Sequence, residues 1–342
     1  MAAPDRGRDL TASTINKWLA KKGGLKDCAY AGVHVLDTLR EKGKRQTKRG
    51  VPQKKSAWMS HDGGDYIQDT PILYKSAGPT NITGDEVIPG VGHNPFGKAL
   101  WPIAMKGDIV QISEFDKIRN AGKQKMVDEW QGRIQEKISA MLYAVNYDIC
   151  ARDSGTGESS YTGVNGLPWL IDVAGQGDTK SVAGITRSSS VLGWTNRKTT
   201  SCGAFATYYS KLGLQQALCE GSTVGGGIWD LIITTPTIWA AIRNFFTGLG
   251  EVDLQSNTDP DAGYRYFTWN GAKVVMDENI TAGYIYGLST EDMWFCVDPA
   301  HDFHVGESAE APNQFVTARK LSFAGNLGFR RFSGAGVTTG WS

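Results

Sequence analysis

One stretch limits what this chain can become more than any other. Between Glu114 and Arg152, apolar residues fall at Val127, Trp130, Ile134, Ile138, Met141, Val145 and Ile149, each 3 or 4 residues from the last. Such spacing keeps side chains on one face of an α-helix, because 3.6 residues complete a turn. Glu129, Arg133, Glu136 and Lys137 fall on the other face. The pattern predicts a single amphipathic helix on the order of 40–55 Å long, stopped by the polar run RDSGTGESS. A helix of that length with one apolar face needs another layer beneath most of it.

The segments on either side of it differ in kind. Residues 10–41 carry two short helical patterns: Ile15, Trp18 and Leu19, then Leu25, Cys28, Ala29, Gly32, Leu36 and Leu39. Residues 56–112 are rich in glycine and proline, lack any helical period, and hold apolar clusters near each end (PILY, WPIAM, DIVQI). They read as a long extended excursion of strands that go out and return, with little core of its own. After residue 160 helices and strands alternate. SCGAFATYYSKLGLQQALCEG (201–221) reads as a helix. WDLIITTPTIWAAIRNFF (229–246) reads as a buried strand and then a helix, with Thr235 as N-cap, Pro236 as first residue and Ile238, Ile242 and Phe245 as its stripe. In YRYFTWNGAKVVM (264–276), Asn270-Gly271 suits the two-residue turn of a hairpin. GYIYGLS, MWFCV and QFVTARKLSF add strands. The expected class is α+β with a mixed sheet.

Composition narrows the function. With 342 residues, 40% hydrophobic and 21% charged, the chain is long enough for a substantial core and too apolar for disorder. No run approaches ~20 uninterrupted apolar residues, so no membrane span is expected, and the polar start MAAPDRGRDL does not read as a secretion signal. Cys28, Cys150, Cys202, Cys219 and Cys296 are scattered, odd in number and without a CxxC, which points to reduced, buried thiols. Charge is unevenly spread. Residues 1–55 hold 14 Lys and Arg against 5 Asp and Glu, a net +9, so with +1 overall the remaining 287 residues carry −8. Within REKGKRQTKRGVPQKK (40–55), Arg40, Lys42, Lys44, Arg45, Lys48, Arg49, Lys54 and Lys55 face a single acid. A basic arm on an acidic body suits contact with nucleic acid or with a second copy of the chain.

Candidate chemistry is sparse. His301, Asp302 and His304 could offer ligands to a metal-dependent enzyme, but neighbours in a strand point apart and no third histidine is near. NTDPDAG (257–263) has its glycine one place late for a calcium loop and Thr268 where the closing Glu would stand. TVGGGIWD (223–230) lacks the Lys-Ser/Thr of a phosphate loop. Nothing assembles nucleophile, base and oxyanion donors, so no catalytic residue, cofactor or metal is expected. GNLGFRRFSGAG (325–336) raises a different question. In a strand Arg330 and Arg331 would point to opposite faces, and a core would reject one of them. An edge that meets other chains has a use for both.

Several stretches together, in sequential order over about residues 60–340, resemble the major capsid proteins of tailed double-stranded-DNA bacteriophages, which share the Hong Kong 97-like fold. GGDYIQDTPILY (63–74) resembles that family's extended loop. ALWPIAMKGDIVQIS (99–113) with EFDKIRNAGKQKMVDE resembles its return strand and spine helix. NGLPWLI, AGITRSSSVLGW, WDLIITTPTIWAAI, VVMDENITAGYIYGLSTEDMWF and NLGFRRFSG follow in the family's order. The resemblance implies a basic N-terminal arm at 1–55, an extended loop at 56–112, a peripheral domain at 113–170 and 300–342 with the spine helix, and an axial domain at 171–299. It implies a structural protein, not an enzyme, that assembles with itself into hexamers and pentamers of an icosahedral phage head around double-stranded DNA bound without sequence preference. Portal, scaffolding and decoration proteins are its implied partners, with no membrane contact, and the virion, assembled in the bacterial host cytoplasm, its location. Contacts between subunits are then expected at Arg330 and Arg331, the eight basic residues of 40–55, Tyr66, Tyr74 and Trp101. One arginine of the pair would meet a carboxylate within its own peripheral domain and the other a neighbouring capsomer. An encapsulin-like nanocompartment shell is the alternative on the same fold.

Overall fold

The computed structural model describes residues 35–36, 58–61, 63–64, 66–71, 96–115, 123–151, 163–171, 180–187, 192–200, 202–203, 229–249, 267–269, 272–310 and 315–341. The basic run 40–55, Tyr74, residues 204–221 of the expected second helix, the Asn270-Gly271 turn and the 257–263 loop lie outside them. Of the two N-terminal helical patterns only Val35 and Leu36 are described; both are helical and buried.

Two mixed sheets carry the fold. The first takes β1 (Trp58–Ser60), β4 (Ala104–Ser113), β12 (Met293–Val297), β13 (His304–Glu310) and β14 (Val316–Phe329). At 14 residues β14 is long enough to serve three partners. It runs antiparallel to β4 from Val316↔Ser113 to Gly325↔Ala104, to β13, and to β12 from Gly325↔Val297 to Phe329↔Met293. β1 adds to β12 in parallel. The second sheet is ordered β7 (Arg197–Thr199), β15 (Gly336–Thr339), β11 (Tyr284–Leu288), β8 (Leu231–Thr234), β10 (Ala272–Met276) and β9 (Phe267–Trp269). A ribbon of β2 (Tyr66–Asp69) and β3 (Ala99–Pro102) and a two-residue ladder of β5 (Ser181–Val182) and β6 (Ile185–Thr186) complete the strands.

The amphipathic stripe becomes α1 (Lys123–Ala151), about 43 Å long at 1.5 Å per residue. Ile134, Ile138, Met141, Val145 and Ile149 are all buried. Polar side chains tie this helix to both sheets. Lys106 of β4 bonds Asp148 Oδ2 at 2.7 Å and donates to the Ala144 carbonyl at 3.1 Å. On the second sheet's side, Asn146 Nδ2 donates to Asp277 Oδ2 at 2.8 Å and Tyr143 Oη to Asn279 Oδ1 at 2.9 Å. The Cys150 thiol is buried here, its pKa raised first by loss of solvent and then by Asp277. A short helix, α2 (Leu167–Leu170), follows α1. The strand-then-helix reading of 229–246 is matched by β8 and α3 (Pro236–Leu249). The Ile238 N–H donates to Thr235 Oγ1 at 3.4 Å, and Ile238, Trp239 and Ile242 of the helix share one buried cluster with Val274 and Ile285.

The excursion at 56–112 divides differently from the sequence reading. Its return limb is core: Ala99, Trp101, Ala104, Val110 and Ile112 are buried, and β4 is a full member of the first sheet. Ten ladder partners on β14 explain this, since a strand that long with one apolar side is most stable inside a sheet. The chain passes between the sheets at 289–292 and again at 330–335. The second passage is built round Phe332, whose ring meets Trp194 edge-on at 5.0 Å and Phe329 at 4.9 Å. Trp101 lies 5.6 Å from Trp294. The Arg187 guanidinium, wholly buried, sits 4.4 Å from the Phe332 ring and donates to the Leu170 carbonyl. Asn326 fastens the same region: its Oδ1 accepts from Asn165 N at 2.8 Å and its Nδ2 donates to the Pro102 carbonyl at 2.7 Å.

Gly287 and Gly336 are ladder partners, and the Trp229 indole lies across both. A Cβ would come within 2.1 Å of the indole at Gly287 and 2.3 Å at Gly336. Gly336→Ala is therefore expected to lower stability by about 1–3 kcal/mol, read as an earlier urea midpoint with unchanged slope. An unchanged midpoint would mean Trp229 has another rotamer at no cost.

Candidate assembly surface

The paired arginines do not belong to a strand. β14 stops at Phe329, and Phe332 opens a 3-10 turn, so Arg330 and Arg331 occupy the step between the sheets. Arg331 forks onto Asp292, Nε to Oδ1 at 2.9 Å and Nη2 to Oδ2 at 3.0 Å. The arginine side chain is 41% exposed and the carboxylate 9%. Gly334 makes room for this fork, since a Cβ there would lie 2.2 Å from Asp292 Oδ2. Arg330 turns the other way. Its backbone N–H donates to the Asp292 carbonyl at 2.7 Å, Nη1 to the Glu291 carbonyl at 3.0 Å, and Nη2 touches Met59 Sδ at 3.4 Å. Burial lowers its pKa, and the charges of Asp69 and Asp292 oppose that shift. Both arginines thus grip the 291–292 turn from within one chain.

The more unusual surface is β4 itself. Charges face its own helix: Lys106 pairs with Asp148, and Asp108 with Lys137 at 3.1 Å. The Arg133 Nη1 also donates to the Gln111 carbonyl at 3.0 Å. Apolar residues face out, Met105 at 61% and Ile109 at 46% exposed, with Gly107 between them. Beyond the strand's end, after the polar Gln111 and Ser113, stand two more exposed rings, Phe115 at 64% and Phe315 at 87%, where Glu114 N bonds the Phe315 carbonyl at 2.8 Å. Over 105–109 this reverses the usual order of apolar in and polar out, which β4 resumes at Val110 and Ile112, buried, with Gln111 exposed. The sequence reading missed these residues, although alternation of Met105, Gly107 and Ile109 with Lys106, Asp108 and Val110 carried the signal.

The remaining candidates are placed as follows. Tyr66 is 51% exposed at the foot of the β2–β3 ribbon. Trp101 is 1% exposed, packed against Trp194, Trp294 and Phe332, which leaves its ring no surface for a neighbouring subunit. The HDFH segment is not a strand at its start. His301 closes a 3-10 turn and its Nδ1 lies 2.7 Å from Asp298 Oδ2. That hydrogen bond, then the Ala300 N–H, lowers the Asp298 pKa. Among the described residues no group of three His, Cys, Asp or Glu side chains could hold a metal ion. No described helix is long and apolar enough to cross a membrane.

Arg331→Ala would strip a largely buried carboxylate of its fork. The expected cost is about 1–3 kcal/mol, visible as a lower denaturation midpoint. Arg331→Lys should recover only part of it, because lysine cannot fork onto both oxygens. Full recovery by lysine would reduce the contact to simple charge.

No family model matches the sequence, and no curated protein matches it. Solved structures do. A chain of the cyanophage A-1(L) capsid asymmetric unit superposes with a TM-score of 0.66 at 15% identity, over 97% of this chain and 99% of that one. The SrpI encapsulin of Synechococcus elongatus PCC 7942 gives 0.57 at 10% identity, over 100% and 97%. The capsid protein of Myoviridae phage XM1 gives 0.52 at 10% identity, over 99% of each chain. With two mixed sheets, a long helix packed on the first of them and a two-stranded ribbon, the chain has the Hong Kong 97-like capsid fold.

Proposed function

We propose that this protein is the structural major capsid protein of a tailed double-stranded-DNA phage, which assembles with itself into the hexamers and pentamers of an icosahedral head. The observation that carries the reading is the outward face of β4. Lys106 and Asp108 are spent on the protein's own helix while Met105, Ile109, Phe115 and Phe315 are left in water. An apolar stripe of that kind marks a contact made with another molecule. A shell subunit meets copies of itself through heterologous contacts that close into rings, so the covering molecule is a neighbouring subunit. The full-length likeness to phage capsid chains supports the same reading.

On this reading the first sheet with α1 forms the peripheral domain and the second sheet with α3 the axial domain. The chain crosses between them at 289–292 and 330–335, so MWFCV belongs to the peripheral side and the last strand to the axial side. The shell acts without catalysis. Packaged DNA meets it through charge and not sequence, and portal, scaffolding and decoration proteins complete the head in the bacterial cytoplasm before the virion leaves. An encapsulin-like compartment is the second reading, favoured by the likeness to SrpI over the whole of this chain.

Negative-stain electron microscopy with light scattering tests the proposal. Closed shells or rings of five and six are expected, and a monomer at every salt and protein concentration would overturn it. Nuclease-protected DNA within shells from infected cells supports the phage head; enclosed enzyme supports the compartment. Met105→Asp with Ile109→Asp should leave a folded subunit with an unchanged melting temperature and no particles. Normal particles from that variant would remove β4 from the interface.

A further inference from the structure

We propose that β4 pairs with β4 of a second copy of this chain, antiparallel about a two-fold axis at Gly107, so that the first sheets of two subunits join into one. The proposal deepens the shell reading and rests on it for the second copy. Rings close through heterologous contacts, whereas a two-fold contact presents the same patch from both partners and can join one ring to the next.

Among the described residues β4 has a ladder on one side only, with β14. Three bonds show which of its backbone groups that leaves over. The Ile109 N–H donates to Asp108 Oδ1 at 2.7 Å, and the Gln111 carbonyl accepts from Arg133. Opposite Met105, the Ala324 carbonyl accepts from Asp298 N at 2.9 Å, on the side of β14 away from β4. Backbone groups alternate in direction along an antiparallel strand, so Met105, Gly107, Ile109 and Gln111 all turn theirs away from β14. Arg133 closes the Gln111 end. From Met105 to Ile109, among the described residues, the edge is met only by the chain's own Asp108 carboxylate. An edge left open in this way is a template for a further strand.

The strand's own sequence selects its partner. AMKGDIV (104–110) reads alike from either end except that its two charges differ in sign. Paired antiparallel with itself about Gly107, it sets Met105 opposite Ile109, Lys106 opposite Asp108 and Ala104 opposite Val110. Each match occurs twice. Centring the pair on either neighbour would instead set Lys106 against Lys106 or Asp108 against Asp108, and like charges directly opposite destabilise a sheet. Gly107 points the same way. Glycine weakens a strand interior and often marks a close approach by another backbone. Its own chain does not call for it: Gly107 is exposed, has no left-handed φ, and a Cβ there would have only the Leu321 carbonyl oxygen within 4 Å, at 3.7 Å. The exposed Met105 and Ile109 are covered in the same step, each by the other from the second copy.

Disulfide trapping in assembled particles tests the pairing. Hydrogen-bonded partners in an antiparallel pair lie about 5.5 Å apart at Cα, within the span of a disulfide. A residue on a two-fold axis meets its own copy. Gly107→Cys alone is therefore expected to convert most of the protein in oxidised particles to a dimer that reductant splits, with none from the unsubstituted protein under the same oxidant. Met105→Cys alone and Ile109→Cys alone should stay single, and particles grown from an equal mixture of the two should give the dimer. If Gly107→Cys does not assemble, the mixture decides. Particles whose Gly107→Cys chains or mixed chains stay single, or in which Met105→Cys bonds to itself, overturn the pairing and leave the shell reading standing. Unsubstituted subunits that never assemble overturn both.

Discussion

The structure depends on one packed junction. Phe332, Phe329, Trp101, Trp194 and Trp294 meet where the chain steps from the first sheet to the second, and the Arg187 guanidinium closes over Phe332. The five rings come from the ribbon, the turn before β7, β12, the end of β14 and the 330–335 step. Burying so much aromatic surface in one place helps hold two sheets that, among the described residues, share no ladder. A cation buried against a ring and a carbonyl is tolerated because guanidinium is weakly hydrated and stacks on aromatic faces. The arginine pair belongs to the same junction, since Arg331 and Arg330 fix the 291–292 turn against its rim.

α1 is tied to the first sheet through Lys106 and Asp148 and to the loop after β10 through Asn146 and Asp277. The Lys106–Asp148 contact is largely shielded from water, whereas Asp108–Lys137 is exposed on both sides and contributes little. Rigidity along the helix thus comes from the inner pair and the apolar stripe.

Period and composition made much of this legible. The spacing of Ile134, Ile138, Met141, Val145 and Ile149 located α1, and Thr235-Pro236 located the start of α3, because both signals are local. The Arg330–Arg331 pair was read as strand because Phe329 and Phe332 look alike in sequence; only the tertiary fit of Phe332 into the junction ends β14 one residue before the pair. Trp101 read as a surface aromatic for a related reason. Its neighbours Trp194, Trp294 and Phe332 are 93 or more residues away in sequence, and no local rule brings them together. The β4 stripe was legible in its alternation, but alternation does not say which side faces water.

That inverted strand has a consequence for how the protein can change. Along β4, Lys106 and Asp108 answer to the chain's own helix, while Met105 and Ile109 between and beside them stand exposed. Two independent pressures therefore interleave with a period of two within ten residues. On the proposed assembly, drift at Met105 or Ile109 is constrained by partners and released when the partner drifts in step, while Lys106 and Asp148 can only move together inside one gene product. Diverging lineages would then keep the fold and lose the ability to mix subunits, and one strand would be enough to separate them.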